Sequence, residues 1–196
     1  MGRTPLSGLP LLWRLRRSGV AAQAFGYATF FEDFAHIEQR LAARIGSLAK
    51  RGDYVLIGHS LGGVLIRAAM RSTRAPSRAP LRIFLLGSPI GPARMARAFE
   101  RNPLYRLLAG DCGQLLGSSA RMAAIGPCRA PATAVVGVRG LPLRTPFGDE
   151  PNDGLVSVSE VSAEWLDDRV EVPVIHGLLP ASAAVASVIL RRLDGM

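Results

Sequence analysis

The sequence predicts an α/β layer fold, a mainly parallel sheet flanked by helices. Short runs that read as strands recur at 20–27, 54–57, 81–86, 132–138 and 170–175, the run at 54–57 being apolar and rich in branched residues as a buried strand is. Between them lie stretches whose apolar residues recur at helical spacing. Strands and helices that alternate in this way favour a parallel sheet over hairpins. In such sheets the chemistry collects outside the carboxyl ends of the strands.

Thr4-Pro5 has the form of an N-cap followed by Pro at the first helical position. The helix it opens carries Leu6, Leu9, Leu12, Trp13 and Leu15, is expected to kink at Pro10, and stops at Ser18-Gly19. Val20 to Tyr27 reads as a strand. From Asp33 to Lys50, Phe34, Ile37, Leu41, Ile45 and Leu48 form one apolar stripe, and Gly52-Asp53 turns the chain into the run Tyr54 to Ile57. Val64 to Met70 reads as a buried helix, Pro76 to Pro80 as a loop and Leu81 to Leu86 as a strand. Residues 91–130 are helical and partly apolar without a strand signal. Ala132 to Val138 and Val170 to Ile175 are strands separated by a Pro/Gly loop over Leu141 to Asn152, and Pro180 opens a terminal helix stopped by Gly195.

The 196 residues suit one domain. No apolar run approaches the ~20 residues of a membrane helix. Arg14, Arg16 and Arg17 sit inside the first apolar stretch, where a signal peptide has none, so the chain as written reads as cytoplasmic. The net charge of +9 comes almost wholly from arginines scattered singly or in pairs, Lys50 being the one lysine. That pattern argues against nucleic acid as a partner and leaves a weak contact with anionic membrane surfaces. Cys112 and Cys128 have no His or Cys neighbour at ligand spacing, so no metal or other cofactor is expected, and spacing alone does not decide whether they are bridged.

The run Tyr54 to Ile57 leads straight into Gly58-His59-Ser60-Leu61-Gly62-Gly63 and then into the helix at Val64. Gly-x-Ser-x-Gly is a pattern that chance produces, but strand, Ser between glycines, helix is the context of a nucleophile elbow. Gly58 and Gly62 are expected to be the glycines that a tight turn requires. The helix aims its first N–H groups, Leu61 foremost, at the reacting centre.

An activated Ser needs a base, and the base an orienting acid. His36 lies on the polar side of a helix upstream of the elbow, and His59 adjoins Ser60 where successive side chains diverge. His176 follows the last strand and is the candidate base. Asp153, in Pro151-Asn152-Asp153-Gly154-Leu155-Val156, is the best-placed acid. Asp149 and Glu150 share its loop, and Asp111 falls in the helical insertion.

Together these motifs resemble the lipase/esterase branch of the α/β-hydrolases. Gly58-His59-Ser60-Leu61-Gly62-Gly63 is similar to its elbow, Asn152-Asp153-Gly154-Leu155-Val156 to its acid loop and His176-Gly177-Leu178 to its base loop. The resemblance implies a three-layer sandwich and a serine carboxylester hydrolase. Ser60, Asp153 and His176 would form the triad, and a helical cap at about 91–130 would stand over the acyl pocket of a small ester or lipid substrate. Acyl transfer and thioester hydrolysis need the same triad, and a non-catalytic scaffold has the same fold. The family also begins its core with a strand ending in His-Gly-x, whose last N–H is the second oxyanion donor. Met1-Gly2-Arg3-Thr4-Pro5 resembles the residues after that His-Gly. Met1 thus stands at the donor position, the first core strand is expected to be missing, and a start codon placed too late would explain both and leave export open.

Overall fold

The computed structural model describes residues 5–29, 31–72, 77–99, 103–140 and 146–195. Helices α1 (Leu9–Arg17) and α2 (Phe34–Ala49) precede strand β1 (Val55–His59) and helix α3 (Leu61–Ser72). Strand β2 (Arg82–Leu86) is followed by α4 (Arg94–Phe99), α5 (Pro103–Gly117) and α6 (Ser119–Ile125). Then come β3 (Ala132–Gly137), β4 (Asp168–Val172) and α7 (Ala183–Leu193). The sheet runs β1-β2-β3-β4, and every pairing is parallel.

Side chains alternate across a strand, so a run buried on both sides feeds two cores. Leu56, Ile83 and Leu85 face one way and pack with Ile37, Ile45, Val64 and Leu65 of α2 and α3. Phe84, Leu86 and Val135 face the other way and pack with Leu11 and Leu15 of α1 and Val185, Val188 and Ile189 of α7. Helices therefore cover both faces, giving the three layers expected.

Several expectations change. Residues 20–27 form no strand, and among the described residues the sheet contains β1 to β4 alone. Pro10 does not kink α1. Pro5–Gly8 is a separate 3-10 turn, and Pro10 sits at the start of α1, where its missing N–H costs nothing. The last strand ends at Val172 because Pro173 has no N–H to donate. Pro180 lies in the 3-10 turn His176–Ala181, and Ser182 is the N-cap of α7. Thr4 lies outside the described residues.

Between β1 and the segment 20–27 is a cavity of about 720 Å³. Asp53 to Ser60, Val20 to Tyr27, Leu11 and Leu15 of α1 and Leu41 and Ile45 of α2 all line it. Among the described residues β1 pairs with β2 alone, so its other edge opens into this space. Among the described residues no strand occupies this gap, in line with the expectation that the first core strand is missing.

Candidate active site

Ser60 joins β1 to α3 with φ of +53°, the only positive φ at a non-glycine among the described residues. Such a backbone costs about 1 kcal/mol or more and persists only where surroundings over-determine it. Here its amide donates to Leu86 O at 2.9 Å, and Ser88 Oγ donates to Ser60 O at 2.8 Å. Leu61 begins α3, so its N–H has no carbonyl one turn back and stays available at the helix's positive end.

The glycine requirement is only half as expected. A Cβ on Gly58 would lie 2.5 Å from the backbone of Gly63, so glycine is needed there. On Gly62 a Cβ would meet only Tyr27 Oη, at 3.7 Å, because it points into the cavity and not toward the sheet. The second crowded position is Gly63, where a Cβ would stand 2.3 Å from Ser88 Oγ and 2.9 Å from Leu85 Cδ2.

The acid loop follows β3 and the base loop follows β4, both at carboxyl ends. Asp153 is 1% exposed and His176 4%. Asp153 Oδ1 accepts from the amides of Leu155 (3.0 Å) and Val156 (2.9 Å), which leaves Oδ2 to His176 Nδ1 at 2.7 Å. His176 N also donates to Asp153 O at 2.9 Å. A carboxylate saturated in this way holds Nδ1–H and leaves Nε2 as the basic nitrogen. Two glycines that sequence reasoning missed make room for the pair. A Cβ on Gly87 (φ +52°) would lie 3.0 Å from Asp153 Oδ2 and 3.1 Å from His176 Nδ1, and one on Gly137 would lie 2.8 Å from Asp153 Cβ. The signal for Gly87 was its place directly after the apolar run 81–86.

Ser60 and His176 line the same cavity, as do Leu61, Leu116 and Leu155. Among the described residues no hydrogen bond joins Ser60 Oγ to His176. Catalytic bonds of this kind commonly tighten only when substrate arrives. Met1, expected as the second oxyanion donor, lies outside the described residues.

The rejected candidates have structural work. His36 is exposed beside Glu32. Asp111 pairs with Arg121 and caps Phe34 N at 2.9 Å, and these bonds hold its carboxyl below the usual range. Asp149 is an exposed turn residue. Desolvation would raise the Glu150 carboxyl, but bonds from Ser159, Arg94 and Ser157 outweigh it and hold the group at about 2. Arg94 thereby ties α4 to the acid loop. Arg67 of α3, 2% exposed, donates to Pro89 O and Ile90 O at 3.1 Å and to Gly126 O at 2.6 Å, securing the loop after β2. Cys112 and Cys128 are free, and burial pushes both thiols up to about 11. Among the described residues no group of three His, Cys, Asp or Glu could hold a metal ion.

A parallel sheet covered by helices on both faces, with the loops that carry Ser60, Asp153 and His176 at its carboxyl ends, is the α/β-hydrolase fold. Solved structures agree with this assignment. The mature form of Bacillus licheniformis lipase BlEst2 superposes with a TM-score of 0.67 at 18% identity, over 83% of this chain and 75% of that one. Its propeptide form superposes at 0.79 and 15% identity, over 97% of this chain, which spans about half (48%) of that longer one. Tomato methylketone synthase I complexed with 2-tridecanone superposes at 0.63 and 13% identity, over 98% and 94% of the two chains. No protein-family model and no curated protein sequence matches the chain. Identities this low define the fold and leave the reaction to the site.

Proposed function

We propose that the protein is a serine carboxylester hydrolase acting on apolar acyl esters through Ser60, His176 and Asp153. The observation that carries this reading is the buried Asp153–His176 pair at 2.7 Å, opening on the same cavity as the strained Ser60. In this mechanism His176 Nε2 takes the Ser60 Oγ proton as Oγ bonds to the ester carbonyl carbon. The oxyanion is held by Leu61 N–H at the start of α3. Collapse expels the alkoxide, which takes the proton from His176, and leaves an acyl-Ser60. Water then attacks with His176 again as base, releasing the acid and restoring Ser60.

A second oxyanion donor is worth about 10²–10³ in rate, and the resemblance puts it at Met1. We assign α4 to α6 the role of a cap within a single domain, supported by Cys112, Gly113 and Leu116 of α5 on the cavity wall. The apolar lining suits a lipid or other acyl chain. Among the described residues no helix is long and apolar enough to cross a membrane, so contact with a lipid surface would be peripheral. Fluorophosphonate labelling and p-nitrophenyl ester turnover test the reading. Label on Ser60, lost in Ser60→Ala, and turnover abolished in both Ser60→Ala and His176→Ala are the expected results. An unlabelled Ser60 would favour a binding scaffold, and substantial turnover in either variant would refute the triad.

A further inference from the structure

His59, the last residue of β1, lies directly before the nucleophile. Its Nε2 stands 3.0 Å from the backbone oxygen of His176, and the two imidazoles meet with centroids 4.8 Å apart, tilted by 47°. A carbonyl can only accept, so His59 Nε2 carries the proton and donates it. Among the described residues, the other hydrogen bonds of His176 run to Asp153, through its amide and through Nδ1. Acid and base are thus bonded to each other, whereas the nucleophile belongs to a different strand, two places away in the sheet order from the one that delivers the acid. The His59 bond crosses that gap.

We infer that His59 is a positioning residue that ties the base loop to the nucleophile strand and so sets the distance from His176 Nε2 to Ser60 Oγ. This rests on the triad reading. His59 need not touch substrate. It acts through the His176 backbone, and with Leu179 packed in the core beyond, the bond holds the buried start of the loop, whose middle at Leu178 is exposed. A misplacement of about 1 Å costs on the order of 10²-fold in a step that needs aligned atoms. The side-chain amide of Gln can place a nitrogen donor near His Nε2, whereas Leu fills similar space without a donor.

The test compares His59→Leu and His59→Gln by amide hydrogen exchange over 175–179 and by p-nitrophenyl ester kinetics. In His59→Leu, exchange at Leu178 is expected to accelerate and kcat to fall about 10- to 10²-fold with KM nearly unchanged. His59→Gln is expected to restore both to within a few fold. Exchange readout does not depend on turnover. A wild-type chain that neither labels nor turns over, with the loop loosened by Leu and held by Gln, would sink the triad reading and leave the tie standing. Unchanged exchange in His59→Leu, kcat within twofold of an active wild type, or equal losses in Leu and Gln would each overturn the inference.

Discussion

Asp153→Asn isolates the chemistry of the triad from its architecture. Asp153 Oδ1 accepts two amides, from Leu155 and Val156, and Oδ2 faces His176 Nδ1. In the variant the amide oxygen must stay on the two N–H donors, because the flipped orientation would set NH₂ against two amides. The NH₂ group then faces Nδ1 and donates to it. His176 is forced into the tautomer with its proton on Nε2, aimed at Ser60, where it cannot accept another. The number of hydrogen bonds is conserved, so the fold should survive, with a stability change of about 1 kcal/mol. The expected loss in kcat is about 10⁴-fold, or roughly 5 kcal/mol of barrier at 1.36 kcal/mol per decade. Turnover of a p-nitrophenyl ester, with a thermal melt to confirm folding, measures both. A folded variant retaining more than a tenth of wild-type kcat would refute the assignment of Asp153.

Two further outcomes follow from the glycines and the acid-loop brace. Gly62→Ala should be nearly neutral in chemical denaturation, because its Cβ meets only Tyr27 Oη at 3.7 Å, whereas Gly63→Ala drives a methyl against Ser88 and Leu85 and should cost about 1–3 kcal/mol. Equal losses at the two positions would contradict the geometry. Glu150, held at about 2 in the fold, contributes stability that is complete above the ordinary glutamate range and disappears as pH falls from about 4.5 toward 2. Glu150→Gln should therefore flatten the acid limb of melting temperature against pH in that window; an unchanged limb would show that Arg94 and the serines do not stabilise the carboxylate.

Much of this organisation was legible in the residues. The apolar runs now seen as β2 and β3 are buried on both faces, so they stand out without any alternation, while β1 alternates between half-buried and buried residues. Asp153 and His176 could be chosen because so few histidines compete and because loops at strand ends collect function. Other features depend on partners distant in sequence. Residues 20–27 have the composition of a strand but need a neighbour to become one. Whether Gly62 or Gly63 is crowded depends on which way each Cα points, and Gly63 meets Ser88 from another loop. The divergence of adjacent side chains sets His59 apart from Ser60 as a base, but it does not reveal that the ring meets a backbone oxygen 117 residues away. No local pattern encodes that contact.

The open edge of β1 has a mechanical consequence. Among the described residues β1 has strand hydrogen bonds along one side only, so the strand that leads into Ser60 behaves as a cantilever, clamped by β2 and loaded at its tip. Stiffness at Ser60 then comes from the clamp (the register from Val55↔Arg82 to His59↔Leu86, the Ser60 amide on Leu86, and Ser88 on the Ser60 carbonyl) together with the His59 tie to the His176 carbonyl. Changes at these contacts are therefore expected to shift Ser60 directly.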